Sequence, residues 1–378
     1  MAYKIPLFKL NYDHKEEKAV LKTIRSKWIS TGPKVDLLEK EFTKYLGAKF
    51  AIGLTNCTAA LHLALEVLGI KEEDEIIVPS LTFVATVNAV RYVKAKPVFA
   101  DITSYDDFSI DPKDIERKVT RRTKAIIVMH YGGFSCEMQK IMKIAQKHNL
   151  FVIEDAAHAP GSEYKNKKLG TIGHIGCFSF FSNKNITCAE GGMLVTDNDQ
   201  YAKKVKSLRS HGMTTLSYAR AKGHATKYDV LDLGFNYRLD DIRGALALTN
   251  FKKLKSDIKK REELKKFYLK QIGGLKNIII PYRNFADKSS NYIFPILLKN
   301  SNAQKRDAVR ENLSKKGIET SVHYPAVHRF SIYKHFKNSL PKTDYVTDNE
   351  ITLPLFYSLT LNDIKYVSKS LKGAVSIL

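Results

Sequence analysis

Short apolar runs alternate with amphipathic stretches through the first two-thirds of this chain, and that alternation limits the fold more than any other feature. The runs Phe50 to Leu54, Glu75 to Val78, Pro97 to Ala100, Ala125 to Met129, Leu150 to Ile153, Cys177 to Phe181 and Gly192 to Thr196 read as strands. Between them, Thr58 to Leu68 sets Leu61, Leu65 and Leu68 on one helical face. Glu137 to His148 does the same with Met138, Ile141, Ile144 and Ala145. Strand, helix and strand in this order predict an α/β fold around a mostly parallel sheet flanked by helices, with ligands at the carboxyl ends of the strands.

Past residue 250 the pattern changes. Phe251, Leu254, Ile258, Phe267 and Tyr268 fall at helical spacing in one long lysine-rich helix, and Gly273-Gly274 breaks it. Strands at Asn277 to Ile280 and Tyr292 to Leu298 follow. We expect a large domain over 1–250, with an N-terminal arm, and a smaller α+β domain over 251–378. A chain of 378 residues is long enough for both.

The formal charge of +23 bears on partners. A basic surface attracts nucleic acid, but the lysines are scattered, and the densest run, Lys252 to Lys270, alternates with apolar residues as a solvated helix face does. No nucleic-acid motif accompanies them, so nucleic acid is not an expected partner; the field also suits anionic small molecules. No apolar run reaches the length of a membrane span, and the first residues lack the apolar core of a secretory signal. Cys57, Cys136, Cys177 and Cys188 show no CxxC spacing, so neither a metal site nor a disulfide framework is expected. A cytoplasmic protein is the default expectation.

The chemistry concentrates between Phe151 and Thr196. A strand-like run leads into Glu154 and Asp155, with His158 behind; the next run carries Ser179, and Lys184 follows five residues later. A carboxylate closing an apolar strand is costly unless it meets a cation or dense hydrogen bonding. A helix N-cap for Ala156-Ala157 is the alternative for Asp155, a core carbonyl partner for His158, and an exposed loop for Lys184. The combination is what pyridoxal phosphate requires: a lysine for the Schiff base, a carboxylate for the protonated ring nitrogen and a hydroxyl toward the phosphate. Upstream, Thr55 to Leu61 joins a strand to a helix, which serves as an anion site or a plain N-cap. Phe83 ends Pro79-Ser80-Leu81-Thr82-Phe83, where it either stacks on a heterocycle or fills the core. No GxGxxG follows a strand, which weighs against a dinucleotide.

These segments together resemble the DegT/StrS family of pyridoxal-phosphate-dependent nucleotide-sugar aminotransferases, of fold type I. The matching segments are Ser30-Thr31-Gly32-Pro33, Asn56-Cys57-Thr58-Ala59-Ala60-Leu61, Pro79 to Phe83 and Glu154-Asp155-Ala156-Ala157-His158. Phe178-Ser179-Phe180 with Lys184, Glu190-Gly191-Gly192, His211-Gly212, Gly234-Phe235-Asn236-Tyr237-Arg238 and His323-Tyr324-Pro325 continue the match collinearly. Cys57 stands where the family usually has glycine.

The resemblance implies that Lys184 forms the Schiff base and shuttles a proton, and that Asp155 bonds the ring nitrogen. Phe83 and Ala157 would flank the ring, and His158 would lie at its phenolic oxygen. Thr58, Ala59 and Ser179 would hold the phosphate, joined by Asn236 of a neighbouring subunit, so a homodimer with shared active sites is implied. His323 and Tyr324 would shape a sugar-nucleotide pocket. The implied reaction moves an amino group from an amino-acid donor, glutamate in most of the family, to a nucleotide-linked keto sugar, for polysaccharide, glycan or antibiotic biosynthesis. A dehydratase of the same family, in which histidine can replace the lysine, an aminocyclitol aminotransferase and a non-catalytic regulatory relative are the alternatives. Tyr218 to Asp232, with Lys222, His224 and Lys227, suits either a diphosphate or a solvated surface.

Overall fold

The structure is a computed structural model that describes residues 3–214, 227–336 and 339–376. Of the segment 218–232, residues 218–226, with Lys222 and His224, lie outside the described residues. The N-terminal arm leads into α1 (His14–Arg25), which starts at an Asp13–Glu16 capping box. Next comes α2 (Pro33–Leu46), with proline in its first turn and Gly47 closing it at φ 70°. The layered region then runs β1 (Phe50–Leu54), α3 (Cys57–Val67), β2 (Glu75–Pro79), α4 (Val84–Tyr92), β3 (Lys96–Ala100), α5 (Pro112–Lys118), β4 (Thr123–Met129), α6 (Met138–His148) and β5 (Phe151–Asp155). A small hairpin, β6 (Glu163–Tyr164) and β7 (Lys167–Lys168), precedes β8 (Ile175–Ser179), β9 (Gly192–Thr196) and α7 (Asp199–Leu208). The chain continues through α8 (Asp241–Phe251), α9 (Leu254–Ile272), β10 (Ile278–Ile279), β11 (Phe294–Leu298), α10 (Ala303–Lys315), α11 (Pro341–Asn349), β12 (Glu350–Leu353) and α12 (Leu361–Val375).

The main sheet has seven strands in the order β1-β9-β8-β5-β4-β2-β3. β9 pairs antiparallel with both its neighbours, and the remaining pairs are parallel. One apolar core lies on one face, with Leu38 and Phe42 of α2 and Ile141 of α6 against Val128, Val152 and Phe178. The other face packs Leu61 and Leu65 of α3, Val87 of α4 and Val205 of α7 against Ile127, Ile153 and Leu194. Helices on both faces explain why the strands read as continuous apolar runs rather than alternations. Beyond residue 251, β10, β11 and β12 form an antiparallel sheet whose core holds Leu264, Phe294, Ile351 and Leu371, and also Ile5 from the arm. Among the described residues no helix is long and apolar enough to cross a membrane.

Several boundaries differ from the sequence expectation, and the following bear on the packing and the site. The strand expected at Cys177 to Phe181 is Ile175–Ser179. Phe180 is buried without belonging to the ladder, so its apolarity records packing and not strand extent. β5 reaches past Ile153 and includes both carboxylates, because Glu154 and Asp155 pair in register with Val128 and Met129 of β4. The long helix expected from Phe251 is two helices. Phe251 closes α8 against Phe42 and Tyr45, and Lys253 then caps α9.

Candidate active site

Adjacent residues of a strand point to opposite faces, and this separates the two carboxylates that end β5. Glu154 is fully buried and turns into a structural cage. It accepts N–H groups from Gly170 (2.7 Å), Ile172 (2.6 Å) and Gly173 (2.6 Å) and pairs with His130 Nε2 at 2.9 Å. Burial alone would raise its carboxyl, but His130 and the backbone N–H groups outweigh that and hold it below the usual range. Asp155 faces the other way. Its Oδ2 accepts from the Thr86 hydroxyl at 2.7 Å and its Oδ1 from the Ala157 N–H at 3.1 Å. Burial raises this carboxyl, opposed by Thr86, Ala157 and the Lys184 ammonium.

Lys184 follows β8 on a turn closed by its N–H to the Phe181 carbonyl at 2.9 Å. The loop is pinned from behind. Asn185 donates to Asp257 of α9 (3.2 Å) and to the Ser290 carbonyl (3.1 Å), and Thr187 N–H donates to Asn250 of α8 (3.0 Å). The ammonium lies 4.3 Å from the Tyr292 ring centroid and donates to the Tyr292 hydroxyl at 3.3 Å. Burial lowers its pKa to about 8, with Asp155 and Cys57 pulling back upward. An amine in that range is neutral often enough near physiological pH to take a proton.

His158 is buried beside them, its ring centroid 4.2 Å from that of Tyr292. The Gly132 N–H donates to Nδ1 at 3.2 Å, so the neutral imidazole carries its proton on Nε2, 2.8 Å from the Tyr324 hydroxyl. Burial, then Lys184 and His323, keep it far below its usual pKa. The His323 carbonyl accepts from the Tyr131 hydroxyl, and burial followed by Lys184 lowers the His323 imidazole to about 3. Phe83 is 56% exposed, with its ring centroid 6.0 Å from that of Tyr324.

The start of α3 lies against β9. A Cβ at Gly192 would come within 2.4 Å of the Asn56 carbonyl carbon and 2.6 Å of the Cys57 nitrogen, so only glycine lets the two backbones approach. Ser179, the last residue of β8, pairs with Gly192 and is buried. Thr58, in the first turn of α3, is half-buried. The Ala59 N–H donates to the Asn56 side chain at 2.8 Å, so an anion would have to share that donor. Helix geometry leaves the N–H groups of Cys57 and Thr58 without intrahelical acceptors. Cys57 is buried, and its electrostatic neighbours are Asp155, Cys177 and Lys184.

The chain therefore gathers Lys184, Asp155, Ala157, His158, His323, Tyr324 and Phe83, with Thr58, Ala59 and Ser179 where β9 meets α3. Asn236 is exposed, bridging backbone to backbone with Ser210, and nothing described within one chain ties its side chain to Lys184 or Asp155. The sequence reading missed Thr86 and Tyr292. Thr86 sits three residues after Phe83, and Tyr292 is one aromatic among many, so neither stood out locally. A groove of about 880 Å³ is lined by Leu150 and His174 at the amino ends of β5 and β8, on the side opposite this cluster.

These residues suit pyridoxal phosphate on their own chemistry: a buried carboxylate with its other contacts filled, an amine of depressed pKa, and free N–H groups at a helix start. The DegT/DnrJ/EryC1/StrS aminotransferase family model matches residues 11–372. Spore coat polysaccharide biosynthesis protein SpsC of Bacillus subtilis is 35% identical over 99% of this chain and 97% of its own length. Helicobacter pylori PseC, an aminotransferase involved in the biosynthesis of pseudoaminic acid, superposes with a TM-score of 0.92 at 32% identity, covering 100% of this chain and 99% of that one. The PLP form of Spr1654 from Streptococcus pneumoniae, assigned as a sugar aminotransferase, superposes at 0.93 with 28% identity over 100% of both chains. With the family model covering nearly every residue and the fold matching solved members throughout, the chain belongs to the DegT/DnrJ/EryC1/StrS aminotransferase family.

Proposed function

We propose that this enzyme binds pyridoxal phosphate through Lys184 and transfers an amino group from an amino acid, glutamate first among candidates, to the carbonyl of a nucleotide-linked keto sugar. The observation that carries the reading is that Lys184, donating to the Tyr292 hydroxyl, has as its charged neighbour the buried Asp155 at the carboxyl end of a parallel strand, whose carboxylate Thr86 holds. Bound there, pyridoxal phosphate supplies an electron sink for the carbon that gains or loses the amine. Asp155 would hold the proton at the pyridine nitrogen, its carboxylate kept aimed by Thr86 and the Ala157 N–H. In each half of the transfer Lys184 would move a proton between the substrate carbon and the cofactor carbon, oriented by the Tyr292 hydroxyl. Phe83 and Ala157 would confine the ring, and His158 would lie at its phenolic oxygen. Thr58, Ser179 and the first turn of α3 would receive the phosphate, with Ala59 sharing its N–H and Asn236 reaching it from a second subunit of a homodimer.

The large domain, 1–250, supplies the cofactor residues, and the small one, 251–378, supplies Tyr292, His323 and Tyr324 on the sugar side. Four buried free thiols fit a reducing compartment, and we place the reaction in the cytoplasm. The pathway we assign is amino-sugar synthesis for surface polysaccharide or a related glycan. The yellow protein loaded with cofactor, given glutamate alone, will convert to the pyridoxamine form, followed by loss of its visible absorption band. No conversion with any amino acid would falsify the reading, and an unchanged band in Lys184→Ala would remove Lys184 from it.

A further inference from the structure

Behind His323 lies a buried hydrogen-bonded chain that the reaction outlined above does not use. Glu350, the first residue of β12, is 0% exposed. Its Oε2 accepts the His323 backbone N–H at 2.8 Å, and its Oε1 lies 2.5 Å from the Thr352 hydroxyl. The same hydroxyl lies 2.9 Å from Nδ1 of the His323 imidazole. A hydroxyl has one proton to give, so its two contacts here cannot both be donations. The three groups therefore have two self-consistent arrangements. With Glu350 ionised, Thr352 donates to Oε1 and must accept from His323, whose proton then sits on Nδ1 and leaves a lone pair on Nε2. With Glu350 protonated, Oε1–H donates to Thr352, Thr352 donates to Nδ1, and the imidazole proton sits on Nε2. Oε2 is already committed to the backbone N–H, so the carboxyl proton can only stand on the Thr352 side.

We propose that Glu350 and Thr352 are positioning residues that set, through this one hydroxyl, whether Nε2 of His323 accepts or donates a hydrogen bond. The inference rests on the proposed function in placing His323 on the sugar side of the site. Passing between the two arrangements moves protons in equal count. One goes from Oε1 to the Thr352 oxygen, one from Thr352 to Nδ1, and one leaves Nε2, so a single net proton is released. His323 shares a small cavity with Tyr292 and with Asn183, the neighbour of Lys184, and Lys184 is its electrostatic neighbour, so the ring being switched lies beside the reacting cluster. Its low basicity keeps the ring neutral, the condition under which the choice of tautomer matters.

The groups facing Glu350 favour a switch over a fixed state. Burial raises its carboxyl to about 8, against the pull of Thr352, the His323 N–H, and Arg306 and Arg310 of α10. Tyr131 and Tyr324 also face it, both held neutral by burial. The paired strand β11 brings only apolar side chains.

The test is nitrogen NMR of ¹⁵N-histidine in the full-length, cofactor-loaded protein, with His323 assigned by the signals missing in His323→Gln. Wild type will show a pyrrole-type Nε2 at pH 6.5 and a pyrrole-type Nδ1 at pH 9.5. Glu350→Gln, whose amide donates to Thr352 at every pH, will keep the proton on Nε2 throughout. Thr352→Ser will restore the exchange and Thr352→Val will abolish it, with circular dichroism confirming that each variant folds. The same tautomer in wild type and Glu350→Gln at pH 9.5 overturns the proposal, as does an exchange that survives Thr352→Val. The tautomer is read on the resting protein, so failure of glutamate to convert the cofactor would count against the aminotransfer reading alone.

Discussion

Replacing Lys184 by methionine should make the cofactor-free protein more stable near neutral pH, although it removes the residue on which the chemistry depends. Burial lowers this amine from 10.5 to about 8, a value that already includes the opposing pull of Asp155. A difference of about 2.5 units at about 1.4 kcal/mol each is a cost of about 3.5 kcal/mol. Lys184 keeps some solvent contact, so the expected gap is nearer about 2 kcal/mol. The sign follows from linkage. Between about pH 8 and 10.5 the unfolded lysine holds a proton that the folded one has lost, so wild-type stability rises with pH across that window. Below pH 8 the cost is fully present. Methionine, unbranched and similar in length, fills the space without titrating. Urea unfolding of both proteins at pH 7, 8, 9 and 10.5 should show the variant ahead at pH 7 and the gap closing by pH 10.5. A constant gap across the series, or a wild type more stable at pH 7, would refute the argument that Lys184 is held against its preferred charge.

Gly192→Ala should weaken pyridoxal phosphate binding by about tenfold or more, equivalent to about 1.4 kcal/mol, because its Cβ would displace the start of α3; absorbance titration measures this. Thr86→Val should leave one Asp155 oxygen without its donor and lower stability by about 1–3 kcal/mol, read by thermal melting, with Thr86→Ser recovering most of it. Glu154→Ala should cost about 3–5 kcal/mol in urea unfolding, since it strands His130 and the N–H groups of Gly170, Ile172 and Gly173, whereas Glu154→Gln keeps part of the cage.

The family motifs carried much of the candidate site because each is short and local. Asp155, Ala157 and His158 lie within four residues, and Ser179 precedes Lys184 by five. Partners recruited from a distance were not legible. Tyr292 is 108 residues from Lys184, and Thr86 is 69 from Asp155. The family motif singled out Asp155 but gave Glu154 no role. Only the pleat, with His130 on one side and Thr86 on the other, shows that Glu154 serves the scaffold while Asp155 faces the cluster.

Local order determined the α/β layering, because continuous apolar strands and amphipathic helices are properties of a few consecutive residues. It determined the lysine, the carboxylate and the hydroxyls in the same way. Tertiary structure decided what those groups are worth. A lysine on a loop has an ordinary pKa until α9, Tyr292 and the carboxyl ends of the strands close around it, and that depression to about 8 comes from desolvation by segments far apart in the chain. The coupling of Glu350 through Thr352 to His323 likewise arises only because β12 lies beside the segment that carries the histidine.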